Sequence, residues 1–152
     1  MGKIKQKNLK LSLKRKYDVR SQFGTICYRI VNGKVQILLV TSRRSRNWIV
    51  PKGWPMDGKT PAQAAEIEAW EEAGVRGKIR ENCVGLYSYS KDKGKIGSFL
   101  CVVSLFALHV QHVEQKFPEH KERKRKWVSR KKAAKMVSEP ALGALLRDFS
   151  PE

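Results

Sequence analysis

The sequence predicts one mixed α/β domain, and three observations carry that reading. The chain has 152 residues, enough for a single sizeable core and too few for two comfortable ones. Its elements run as strands, one helix, strands and then terminal helices, not as a regular strand–helix alternation. The clearest helix, over 61–73, stands between two β-rich halves.

Taken in order, residues 1–19 read as a basic arm whose few apolar residues (Leu9, Leu11, Leu13, Tyr17) alternate without forming a helical stripe. The domain proper is expected over 20–150. Residues 23–31 ("FGTICYRIV") and 34–42 ("KVQILLVTS") are β-rich runs separated by Asn32-Gly33, the dipeptide that suits a tight hairpin turn with positive φ. Residues 48–51 form a short strand stopped by Pro51, and a loop rich in Gly and Pro follows. Thr60 is then a good N-cap, Pro61 fits the first helical position, Gln63 completes a capping box, and Gly74 is a natural stop. Residues 83–90 and 97–110 read as strands around the turn 91–95, and 111–126 is a polar stretch. Short helices are expected over 130–137, capped by Ser129, and over 140–149.

Lys and Arg number 32 against 14 Asp and Glu, giving a net charge of +18. Residues 1–20 carry eight basic residues against Asp18, and residues 121–135 carry nine against Glu122, so these two segments supply most of the excess. Such a balance predicts attraction to polyanions, including non-specific attraction to nucleic acid, and weakening by salt. No signature of a specific nucleic-acid-binding motif accompanies it. Cys27, Cys83 and Cys101 form no pair or Cys/His cluster, which fits a reducing compartment and small core positions. No apolar run approaches a membrane span, and the N-terminus lacks the apolar segment of a signal peptide; a cytoplasmic protein is expected. Trp48, Trp70 and Trp127 are expected in the core, and His109, His112 and His120 at ordinary polar positions.

Against this basic background, "EAWEEAGV" gathers Glu68, Glu71 and Glu72. On a helix, Glu72 lies about 40° from Glu68, and Glu71 about 60° to its other side. All three carboxylates share one stripe, and Glu68→Glu72 is a like-charge i,i+4 pair. A solvated face tolerates such a stripe. A divalent-cation site needs one, since clustered hard oxygens suit Mg²⁺ or Mn²⁺ and the cation removes the repulsion.

The flanking residues favour the cation. "GWPMDGKTPAQAAEIEAWEEAGV", 53–75, resembles the Nudix box G-x5-E-x7-R-E-U-x-E-E-x-G-U, where U is apolar. Gly53, Glu68, Glu71, Glu72, Gly74 and Val75 match in register, with Ala69 as a small apolar residue. "ILLVTSRRSRNWIVPKG", "EEAGVRG" and "RKRKWVS" are similar to diphosphoinositol and diadenosine polyphosphate hydrolases of that superfamily. The resemblance implies an α/β/α sandwich with a mixed β-sheet. It also implies a metal-dependent pyrophosphohydrolase that cleaves a diphosphate linkage in a highly phosphorylated substrate, of the dinucleoside polyphosphate or diphosphoinositol polyphosphate type.

By that resemblance Glu71 and Glu72 would bind Mg²⁺ or Mn²⁺, and the backbone carbonyl of Lys52 or Gly53 could complete the shell. Glu68 would bind metal or act as general base on the attacking water. A further glutamate outside the box is expected, with Glu114, Glu119 and Glu122 as candidates. Arg20, Ser42, Arg43 and Lys93 would contact substrate phosphate. Two positions depart from the box: Lys59 stands in place of its first Glu, and Ile67 in place of its Arg. An Arg at 67 would sit one turn before Glu71 and could hold that carboxylate by a charge-assisted hydrogen bond, which Ile67 cannot. These departures, with the charge, motivate an alternative reading as a non-catalytic module of the same fold that binds RNA or polyphosphate.

Overall fold

Asn32 and Gly33 take positive φ (51° and 77°) and close the first hairpin, as their sequence predicts. The hairpin joins β1 (Asp18–Val31) to β2 (Lys34–Thr41), with Val31 opposite Lys34. The computed structural model describes residues 18–92 and 98–151. All but residues 18 and 19 of the predicted arm, together with Lys93 and Lys95, lie outside them.

β3 (Trp48–Ile49) and β4 (Lys52–Gly53) precede α1 (Pro61–Ala73). β5 (Val75–Asp92), β6 (Ser98–Val113) and β7 (Arg125–Ser129) follow, and α2 (Arg130–Met136) and α3 (Pro140–Arg147) end the fold. The described strands form one mixed seven-stranded sheet of order β3-β2-β1-β6-β5, with β4 added to β1 and β7 to β2. β1 runs parallel to β6, from Asp18 opposite Phe99 to Tyr28 opposite His109; the other strand pairings are antiparallel.

Side chains alternate between the two faces of a strand, so each central strand feeds two cores. Ile26, Tyr28, Ile37 and Leu39 join Leu142, Leu145, Leu146 and Phe149 beneath α2 and α3. Their sequence neighbours Cys27, Leu38 and Val40 join Ala69 and Ala73 of α1 on the opposite face. The result is the expected α/β/α sandwich with a mixed sheet.

Four boundaries differ from the sequence expectation. β1 starts at Asp18, because its exposed polar end still pairs with β6. The loop after Pro51 contains β4, only two residues long, whose pairing with β1 no local pattern announces. β5 begins at Val75, well before 83: Arg76, Lys78 and Arg80 point outward, while Val75 is buried and Ile79 half-buried. β6 runs on to Val113, into the stretch read as polar. Two side-chain expectations also change. Cys83 is exposed, although Cys27 and Cys101 are core residues. Trp70 belongs to no core cluster; its ring lies 3.9 Å beneath the Arg76 guanidinium, whereas Trp48 and Trp127 pack against the cores.

Candidate active site

The chemistry-bearing face of α1 is set by its caps and its alanines. Thr60 Oγ1 accepts from the Gln63 N–H (3.1 Å), and Gln63 Oε1 accepts from the Thr60 N–H (2.9 Å), so the capping box forms as its residues predict. Gly74, at φ 67°, ends the helix; a side chain there would overlap the Phe117 ring. Ala62, Ala64, Ala65, Ala69 and Ala73 are buried, and such small side chains let the helix lie close on the sheet. That close approach carries Glu72 inward until only 6% of it is exposed.

Glu72 Oε1 accepts from the Lys52 backbone N–H of β4 (3.3 Å), and Oε2 lies 3.7 Å from the Arg123 guanidinium. The carboxyl groups of Glu68 and Glu72 share a hydrogen bond. Burial pushes the Glu72 carboxyl up to about 8; Arg123 opposes the rise and Glu68 adds to it. Burial also raises Glu68, and its bond to Glu72 offsets part of that, while Glu71 and Glu119 push it further. The structure therefore pairs two carboxyl groups that cannot both ionise cheaply. Gly53 is what admits Glu68: a Cβ at that position would overlap the Glu68 carboxyl carbon. Glu71 is half-buried beside them, and its backbone carbonyl accepts from the Glu119 N–H (3.0 Å).

Of the three outside candidates, Glu119 is the one brought to the helix. It acts electrostatically on Glu68 and pairs with Arg123 at 3.0 Å. Glu114 instead serves the backbone, donating its N–H to the Gly74 carbonyl and accepting from Arg125 (both 2.8 Å). Glu122 is exposed and reaches Arg43 at 3.7 Å. Among the described residues no three His, Cys, Asp or Glu side chains already converge into a metal centre. The donor set nevertheless suits a hard divalent cation: buried carboxyl oxygens, raised toward protonation, held open by a glycine. Binding a cation would offset the burial and the mutual repulsion that raise both carboxyls.

The predicted phosphate contacts scatter. Arg43 lies at the site, 3.6 Å from Glu119. Ser42 lines a neighbouring cavity, but its hydroxyl is engaged with Ser45 (2.6 Å) and the Asn47 N–H (3.0 Å). Arg20 pairs with Asp18 at 2.8 Å and covers the Phe99 ring at 4.2 Å, with no contact to the carboxylates among these. Lys93 falls outside the described residues.

Sequence reasoning missed the cavity itself, about 370 Å³, whose lining includes Trp48, Lys52, Tyr87, Tyr89 and Lys91. Lys52 links it to the carboxylates: the backbone N–H holds Glu72, while Nζ lies 5.3 Å over the Tyr89 ring. Burial lowers the Lys52 ammonium from its usual range, and Glu72 counteracts this. Arg123 was missed as well. Only its i,i+4 spacing from Glu119 hinted at a pair.

A family model described as "NUDIX domain" matches residues 20–149. "Nudix hydrolase 16, mitochondrial" of Arabidopsis thaliana is 34% identical over 154 residues, covering 90% of this chain and 84% of that protein. Human "Diphosphoinositol polyphosphate phosphohydrolase 3-beta" is 32% identical over 82 residues, covering 52% of this chain and 49% of that protein. Among solved structures, C. elegans Ap4A hydrolase matches with a TM-score of 0.62 at 26% identity, covering 86% of this chain and 96% of that chain.

Proposed function

Because the chain belongs to the Nudix family and is a Nudix hydrolase, we propose that it is a divalent-metal-dependent pyrophosphohydrolase acting on a highly phosphorylated diphosphate compound. The observation that carries the reading is the packing of Glu68 against Gly53 and Glu72, with Glu119 tied to Glu72 through Arg123, beside a cavity whose lining includes Lys52 and Lys91. Glu71 and Glu72 hold Mg²⁺ or Mn²⁺, with Glu119 as the further glutamate and the carbonyl of Gly53 or Lys52 as a backbone donor. The bound cation supplies charge neutralisation and Lewis acidity.

The chain's own groups do the rest. Glu68 takes the proton of the attacking water at its carboxylate, a step worth about 10²–10⁴-fold. Water oxygen bonds to phosphorus as the bond from phosphorus to the bridging oxygen breaks. Lys52, half-buried, and Lys91, exposed, would face the phosphates from the cavity wall. Arg43, 60% exposed and paired with Glu119 and Glu122 only at 3.6 and 3.7 Å, can turn to a phosphate. The stacked Tyr87 and Tyr89 rings, 6.3 Å apart, offer the cavity an aromatic wall. The free thiols of Cys27, Cys83 and Cys101 fit the cytoplasm expected for the chain.

Release of phosphate products from a panel of substrates with Mg²⁺ and Mn²⁺ tests the reading. The panel holds dinucleoside polyphosphates, diphosphoinositol compounds, capped RNA and ADP-ribose. Turnover of one of the first two classes is expected. Activity on none, with tight salt-sensitive RNA binding, would favour the binding module instead. A second result should follow from Gly53. Gly53→Ala is expected to displace the Glu68 carboxyl and cost roughly 10²-fold in kcat, as misplacement of a catalytic group by about 1 Å does. An unchanged kcat in that variant would separate Glu68 from the chemistry.

A further inference from the structure

Where the Nudix box has its Arg, this chain has Ile67, so the helix supplies no cation of its own for the carboxylates. Among the described residues, the side chain paired with Glu72 comes from far along the chain: Arg123, just before β7. We propose that Arg123 is the positioning residue that holds Glu72 and Glu119 in place for the cation, the task that Ile67 leaves open. The inference rests on the metal-dependent reading above.

The geometry argues for a fixed fork. Arg123 Nε and Nη2 both reach Glu119 Oε1 at 3.0 Å, Nη2 lies 3.7 Å from Glu72 Oε2, and Nη1 donates to the Thr41 carbonyl at 3.0 Å. The side chain is only 7% exposed. Its backbone is fixed on both sides. The Thr41 N–H donates to the Lys124 carbonyl (3.0 Å), the Lys124 N–H to Thr41 Oγ1 (2.9 Å), and the Glu119 N–H to the Glu71 carbonyl (3.0 Å). Segment 119–124 thus ties the end of β2 to α1, with the guanidinium spanning the gap. A planar guanidinium with donors committed on several sides sets carboxylate direction in a way that a lysine cannot. The other cations near the site differ: Lys52 and Lys91 line the cavity where phosphate would lie, and Arg43 is 60% exposed. Arg123 faces the carboxylates. Groups that orient metal ligands in this manner typically control metal affinity by about 10–100-fold.

Mn²⁺ binding to metal-free protein, followed by electron paramagnetic resonance, reads this directly. Arg123→Ala is expected to weaken Mn²⁺ binding by about 10-fold or more. The Mg²⁺ concentration giving half-maximal rate should rise in step, with substrate KM at saturating metal changed less than about 3-fold. Arg123→Lys should recover part of the affinity. Should Arg123→Ala fail to fold, Arg123→Gln keeps a donor for the Thr41 carbonyl without charge and gives the same reading. Wild-type Mn²⁺ affinity in the variant, with KM raised, would make Arg123 a substrate contact and overturn the inference. The same affinity with only Tm lowered would make it a structural tie and overturn it too. If wild-type protein binds no Mn²⁺, the metal reading itself fails and the inference falls with it.

Discussion

Glu72→Gln is expected to lower kcat by roughly 10³-fold or more, about 4 kcal/mol of barrier, while leaving the fold intact. Glutamine has the shape of glutamate and can still accept from the Lys52 N–H, the backbone donor at Oε1 among the described residues. What it loses is the negative charge that a hard cation requires. Its amide NH₂ would also offer a donor where Arg123 and any cation need an acceptor. Glu71→Gln should lose as much, because Glu71 stands on the same stripe and is half-buried. Glu68→Gln should lose about 10²–10⁴-fold if its task is proton transfer. The check is kcat at saturating Mg²⁺, beside a circular dichroism spectrum that confirms folding. Rates within a few-fold of wild type in Glu72→Gln would sink the site assignment.

This site was half legible in the sequence, and the division has a physical basis. What is local was legible: the Thr60/Gln63 capping box, the Gly74 stop and the Asn32-Gly33 turn each need only neighbouring residues, and each forms as expected. The stripe of Glu68, Glu71 and Glu72 follows from helical geometry in the same way. What depends on sheet pairing was not. Glu119 could not be ranked above Glu114 and Glu122, because the choice is made by its N–H meeting the Glu71 carbonyl and by β7 pairing with β2. In the sequence Arg123 is one charge in a basic run; its burial is decided by the end of β2. The first half of β5 has no strand signature of its own, because Arg76, Lys78 and Arg80 mask the alternation that pairing with β6 makes regular. Arg20, expected at phosphate, pairs with Asp18 two residues earlier on β1 and covers Phe99, which the parallel pairing of β1 with β6 puts beside it.

Metal-free protein is expected to lose stability as pH rises from about 5 to about 8, and Glu72→Gln is expected to remove most of that loss. In the folded chain burial lifts the Glu72 carboxyl to about 8, well above its ordinary value of 4.5. Between those two values the folded state holds a proton that the unfolded state has released, so raising the pH favours unfolding. The contribution is fully present below the unfolded pKa, declines through the window and is gone above the folded pKa. One proton sets a limiting slope of about 1.4 kcal/mol per pH unit, so the total is on the order of a few kcal/mol. Arg123 moderates it, and the partner carboxyl of Glu68 sharpens it. Glutamine does not titrate, and it removes a buried carboxylate that only a cation neutralises well; Glu72→Gln should therefore be the more stable protein at pH 8 in the presence of a chelator. Mg²⁺ should reverse the ranking, since it binds and stabilises the ionised wild-type site alone. Urea unfolding of both proteins at several pH values, with chelator and then with Mg²⁺, measures this. Contributions from groups that do not interact with Glu72 are common to the two proteins and cancel in their difference; that of Glu68, which interacts with Glu72 directly, is part of what the difference reads. A wild-type slope equal to that of Glu72→Gln would mean that the buried pair is already ionised without metal. The opposite result would show that residue 72 destabilises the empty site for the same reason that it serves the loaded one.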